Sequence, residues 1–156
     1  FRKVLCATKE YFNAVFGVEC LNKIFFYVDN EIDNPKAPIS IPVGNIFVRI
    51  VLDIGPNHCE ARVAYQFAHE LTHVVFWDYF GLNKKRATER EETICTAASL
   101  IVLKNMYPDD FDRFEQSTAS EAYIGYRNGV PLAKGISYDM GKIKALIENF
   151  PRELLY

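Results

Sequence analysis

The feature that most limits how this chain folds is the stretch Tyr65-Gln66-Phe67-Ala68-His69-Glu70-Leu71-Thr72-His73-Val74-Val75-Phe76, where two histidines stand four residues apart in a run of helical periodicity. Ala64, Phe67, Ala68, Leu71, Val74 and Val75 recur at steps of three and four, so an α-helix here buries an apolar stripe against the body of the protein. Gly55-Pro56-Asn57 supplies a start signal and Gly81 a stop, which predicts a helix over residues 58–79. Residues four apart lie on one helical face, about 6 Å apart along the axis, so His69 and His73 aim at a shared point. The remainder of the chain has to be arranged around that face.

Two imidazoles so placed suit one divalent cation. Glu70 follows about 100° further round the helix, where its carboxylate can hold and deprotonate a water on the cation instead of taking a coordination position. Tyr65, and Phe76 or Trp77, extend the histidine face as cleft walls. A catalytic zinc keeps three protein ligands and leaves a fourth position for water. His58, the one other histidine, lies about 16 Å away along the same axis and cannot complete the set. Phe76 and Tyr79 stand where the longer pattern His-Glu-x-x-His-x-x-Gly-x-x-His needs its glycine and third histidine. The third ligand must therefore be a carboxylate.

Residues 88–103 read as a second helix, with Ile94, Ala97, Ala98, Ile101 and Val102 as its buried stripe and an acidic first turn that suits a helix N-terminus. Glu91 and Glu92 compete for the metal. Glu92 shares its face with the small polar Thr96 and Ser99, whereas Glu91 lies below Cys95 and Ala98. Glu92 is the preferred ligand, with Glu91 as the alternative.

His69-Glu70-Leu71-Thr72-His73, followed by Glu92 and the small-residue run Thr96-Ala97-Ala98-Ser99-Leu100-Ile101, resembles the gluzincin class of zinc metallopeptidases, and more narrowly the ImmA/IrrE group of small bacterial and phage peptidases. The resemblance spans residues 62–103. It departs from that group at Thr93-Ile94 and Thr96-Ala97, which stand where Ala-Asn and Phe-Ala are typical. It implies an α+β, zincin-like fold, in which a small N-terminal β-sheet packs on the His-Glu-x-x-His helix and on the glutamate-bearing helix that follows. It further implies zinc-dependent hydrolysis of peptide bonds, with zinc on His69, His73 and Glu92, Glu70 as general base, zinc-bound water as nucleophile and a peptide or protein as substrate. An alternative is a zinc-binding, zincin-like domain for regulation or protein recognition with little or no peptidase activity. A metal-free helical interaction module is a third.

At 156 residues the chain is expected to be a single metallopeptidase-like domain over residues 1–156, burying about two thirds of its unfolded surface. A formal net charge of -2 leaves no basic footprint for nucleic acid, and no apolar run approaches membrane-spanning length. Cys6, Cys20, Cys59 and Cys95 are too scattered for a Cys-x-x-Cys zinc site and predict buried free thiols. With no signal-like N-terminus, the expected location is cytoplasmic.

Elsewhere the sequence predicts a helix over residues 8–16 capped by Thr8 and ended by Gly17, and a strand over 23–28 followed by a polar loop. Pro35, Pro38 and Pro42 keep residues 37–43 extended at a sheet edge or in an irregular connection. Residues 46–53 give the longest strand signal, either the edge that receives a substrate strand or an interior strand. Further on come a short helix over 109–116, an Asn128-Gly129 hairpin or cleft loop, and a helix near 139–148 stopped by Phe150-Pro151. Tyr65, Tyr123, Tyr126, Tyr138 and Arg127 are chemically able to stabilise an oxyanion, and none is singled out.

Overall fold

A computed structural model describes residues 1–17, 21, 23–82 and 87–154. Helix α1 (Arg2–Phe16) ends at Gly17, whose N–H donates to Asn13 O at 3.0 Å. It begins six residues before the predicted cap: Thr8 lies within the helix, wholly buried, and its Oγ1 has no hydrogen-bond partner among the described residues. Val4, Thr8, Phe12 and Phe16 fall at steps of four on one buried stripe, and burying that stripe outweighs the capping preference of one threonine.

Strands β1 (Phe25–Asn30), β2 (Ile39–Val43) and β3 (Phe47–Leu52) form a sheet in the order β1-β3-β2. β1 runs parallel to β3, from Phe25 opposite Phe47 to Asn30 opposite Leu52, and β2 runs antiparallel to it, from Ile39 opposite Val51 to Val43 opposite Phe47. The strand with the strongest signal is thus the interior one, and β1 and β2 are the edges. Val48, Ile50 and Leu52 are wholly buried, as a strand paired on both sides and covered by a helix requires. Pro42, which has no N–H to donate, sits on the edge strand where that lack is tolerated.

Helix α2 (Glu60–Phe80) follows a short loop after β3. Two amide side chains fix that junction. Asn30 donates to Ile54 O at 3.0 Å and accepts from Ile54 N at 2.9 Å, while Gln66 accepts from Asp53 N at 2.9 Å and donates to Asp53 O at 3.1 Å. Backbone groups that would otherwise be buried unpaired are thereby satisfied. From Ala61 to Trp77 only Arg62 and Tyr65 are not buried, so α2 is the central helix of the protein, with its histidine face at the floor of a cleft. Phe26 of β1 meets Phe67 at 6.2 Å, which seats the sheet on α2. Phe76, one of the two expected cleft walls, is instead a core residue packed on Phe80 and Phe150. The helix stops at Gly81, at φ 85°, whose N–H reaches Trp77 O at 2.7 Å; a residue with a Cβ is strained there.

Helix α3 (Glu89–Met106) packs along α2 and is buried from Ile94 to Leu103. α4 (Pro108–Ala119), α5 (Ile124–Arg127), α6 (Gly129–Gly135) and α7 (Met140–Glu148) follow, then a 3-10 turn at Arg152–Leu154. Neither the hairpin nor the cleft loop expected at Asn128-Gly129 forms, because the segment is helical. Asn128 is right-handed helical, at φ -69° and ψ -15°, and Gly129 opens α6. A Cβ on Gly129 would stand 2.6 Å from Thr96 Cβ and Cγ2, so glycine serves close approach to α3 here and not a tight turn. α7 is capped by Asp139, which accepts from Gly141 N at 2.8 Å, and ends just before Phe150-Pro151 as predicted; Leu146 on its apolar side is only half-buried.

The prediction of buried thiols holds for Cys95. Cys6 is exposed and Cys59 half-buried, because both lie near helix starts at the surface, and Cys20 falls outside the described residues. Among the described residues no helix is long and apolar enough to cross a membrane.

Candidate metal centre

α2 presents His69, Glu70 and His73 within little more than one turn, and α3 brings its first turn against them. Thr88 caps α3 by accepting from Glu91 N at 3.2 Å. Thr88 and Glu91 have the spacing of a capping box, but the Glu91 carboxylate turns to His73. The first turn is therefore held by the Thr88 side of the box, while the Glu91 carboxylate bonds His73.

The His69 and His73 rings stand 5.1 Å apart between centroids, inclined at 66°. Glu92 Oε2 lies 3.0 Å from His69 Nε2 and 3.6 Å from His73 Nε2. Glu91 Oε1 lies 2.7 Å from His73 Nδ1, with Cys95 Sγ 3.5 Å from the same nitrogen. The two competing glutamates thus take different places: Glu92 joins the two Nε2 atoms at their common point, and Glu91 sits behind the second ring.

Burial makes this arrangement demanding. His69, Glu70, His73 and Glu91 are 6%, 3%, 7% and 1% exposed, and charges withdrawn so far from water are kept only when paired. Burial opposes the charged form of His73, yet Cys95, Glu91 and Glu92 together hold its pKa well above the ordinary histidine value. Burial would also raise Glu92, but hydrogen bonds from His69 and His73 hold it well below the usual carboxylate range. Burial pushes the Cys95 thiol up to about 12.

Whether these groups fit a metal ion is a question of spacing. Ligands at about 2.0–2.1 Å from a tetrahedral zinc are separated from one another by about 3.3 Å. The 3.0 and 3.6 Å separations of Glu92 from the two nitrogens bracket that value. Glu91 on Nδ1 fixes the ring so that Nε2 faces the common point, the part a carboxylate behind a ligating histidine usually plays. His69, His73 and Cys95 also form a buried group, with ligand atoms all within 4.8 Å of one another, that could hold a metal ion. Cys95, however, approaches His73 at the nitrogen already turned to Glu91. Sequence reasoning missed the thiol: only the packing of α3 on α2 brings it to the ring.

A cleft of about 610 Å³ opens over the site. The β2 edge, with Pro38, Ile39, Ser40 and Pro42, lines it together with Trp77, Tyr123 and Tyr126, and His69, Glu70, His73 and Glu92 also border it. Tyr126 stands edge-on to His69, ring centroids 5.5 Å apart at 89°. Burial, with Glu92 and Glu70 nearby, raises its phenol well above the ordinary value, so it is a neutral donor at this rim. Gly125 lets α5 come close, since a Cβ there would stand 3.0 Å from Glu92 Cβ. The other oxyanion candidates are differently placed: Tyr65 bonds Thr118 Oγ1 at 3.0 Å, Tyr138 bonds Glu115, Tyr123 lines this cleft beside Tyr126, and Arg127 is not among its lining residues. His58 Nδ1 stands 2.9 Å from Gly55 O, away from the common point.

Fold and site together define an α+β protein whose central helix pair carries a buried His69, His73 and Cys95 group able to hold a metal ion, with two glutamates on the same histidines. No protein-family model, curated protein or solved structure matches the chain.

Proposed function

We propose that this chain is a zinc-dependent peptide hydrolase of zincin-like, gluzincin type, with zinc on His69, His73 and Glu92. The observation that carries the reading is the convergence of two Nε2 atoms and one carboxylate oxygen, 3.0 and 3.6 Å apart, beside a second buried carboxylate in an open cleft. Zinc bound there supplies a Lewis acid for the scissile carbonyl and acidifies a water at neutral pH. Glu70 accepts the water's proton and returns it to the leaving amine, which an amide needs in order to depart. Glu91 keeps the His73 ring in register through Nδ1. The Tyr126 hydroxyl is the donor best placed for the developing oxyanion, because its ring lies against His69 at the cleft rim.

The free edge of β2 offers backbone groups to an extended peptide, which pairs with sheet edges through its own regular amides and carbonyls. Glu92 is preferred over Cys95 as third ligand because it reaches both imidazoles at Nε2. Zinc analysis together with digestion of a mixed peptide library tests the reading: cleavage that EDTA stops and added zinc restores supports it. A protein that holds zinc yet cleaves nothing in the library reverts to a regulatory or recognition domain, and one that holds none to a metal-free interaction module.

A further inference from the structure

A second cleft, of about 680 Å³, adjoins the first. It lies between the loop that precedes α2, the outer face of α2, and helices α4 and α5. Pro38, His69 and Tyr126 border both clefts, so the two meet at the metal centre. Part of its wall is aromatic: Tyr65 and Phe114 stand 5.3 Å apart between ring centroids, and Tyr126 borders it where it meets the first cleft.

The charges around this second cleft are mostly matched within the protein. Arg62 pairs with Asp53 at 3.3 Å and Arg113 with Asp110 at 2.8 Å, which leaves Glu121 to add negative charge at the border. Selection by an acidic or basic ligand group is therefore weak. What the cleft offers is area for a ring, since aromatic faces and edges at 4.5–7 Å attract another aromatic beyond simple burial.

We infer that the second cleft is a side-chain subsite that takes a bulky aromatic residue of an extended peptide lying through both clefts, so that hydrolysis occurs at internal bonds. The inference rests on the hydrolase reading above. A wall at the metal centre would instead leave room for one terminal residue only.

The experiment uses zinc-loaded protein and peptides blocked by acetyl and amide groups, identical except for Phe, Ala or Asp at one position. In Glu70→Gln protein, fluorescence of Trp77, the one tryptophan of the chain and a residue of the first cleft, reports binding without turnover. The Phe peptide is expected to bind about tenfold more tightly than the Ala peptide, with the Asp peptide weakest. Active protein is expected to cut the blocked Phe peptide at an internal bond next to Phe. Ser117→Phe, which fills the second cleft from exposed α4 without adding a tryptophan, is expected to erase the preference for Phe over Ala while zinc content persists. Equal binding of Phe and Ala peptides, an unchanged preference in Ser117→Phe, or cleavage only of peptides with a free terminus overturns the subsite and leaves the hydrolase reading standing. Failure to hold zinc or cut any peptide removes both.

Discussion

The long pair α2 and α3 and the short pair α5 and α6, which packs on α3, build the site by opposite means. The long pair is buried nearly all round and carries its polar groups inside an apolar surface: His69, Glu70, His73 and Glu91 lie among Ala68, Leu71, Ile94 and Ala98. The short pair contributes closeness. A Cβ at Gly125 would stand 3.0 Å from Glu92 Cβ, and one at Gly129 2.6 Å from Thr96 Cβ. Chemistry is encoded in the side chains of the long pair and in missing side chains on the short pair, so substitutions in the two should fail differently.

The largest effect is expected at Glu70. Glu70→Gln should lower peptide hydrolysis by about 10²–10⁴-fold, the usual contribution of a general base, with zinc content and melting temperature retained; turnover unchanged by that substitution would take the base away from the long pair. Glu91→Gln comes next. If Glu91 only orients His73, zinc should bind about 10–100-fold more weakly, read by competition with a chelating dye.

In the short pair, Gly129→Val should cost about 1–3 kcal/mol in urea unfolding through overpacking against Thr96. A neutral result would mean that α6 stands off from α3, and the contrast between the pairs would weaken. Smallest is Thr88→Ala, which removes the cap of α3 and should cost about 1 kcal/mol. Its effect should appear in stability and only marginally in zinc affinity, because the ligands sit a turn further along.

What was readable in the sequence follows the same division. The span of α2 and the existence of α3 could be read from apolar periodicity with Gly81 as a stop, since such long helices satisfy their own backbones. The choice between Glu91 and Glu92 could be argued from which neighbours each shares on a helical wheel, and the structure sets Glu92 against both imidazoles. Cys95 could not be read as a neighbour of His73, because that contact exists only once α3 lies on α2. Nor does sequence alone state strand order: residues 46–53 look like the best strand whether central or at an edge, and β1 and β2 take the edges. Asn128-Gly129 misled because glycine serves both tight turns and close helix contacts, and only Thr96 across the gap tells which.

The central claim is that Glu92 completes the metal centre with the two histidines. Metal content measured by mass spectrometry on protein purified without chelator tests it, comparing wild type with Glu92→Ala and Cys95→Ala. The account predicts about one zinc per chain in wild type and in Cys95→Ala, and none in Glu92→Ala. Zinc retained by Glu92→Ala and lost from Cys95→Ala would contradict it.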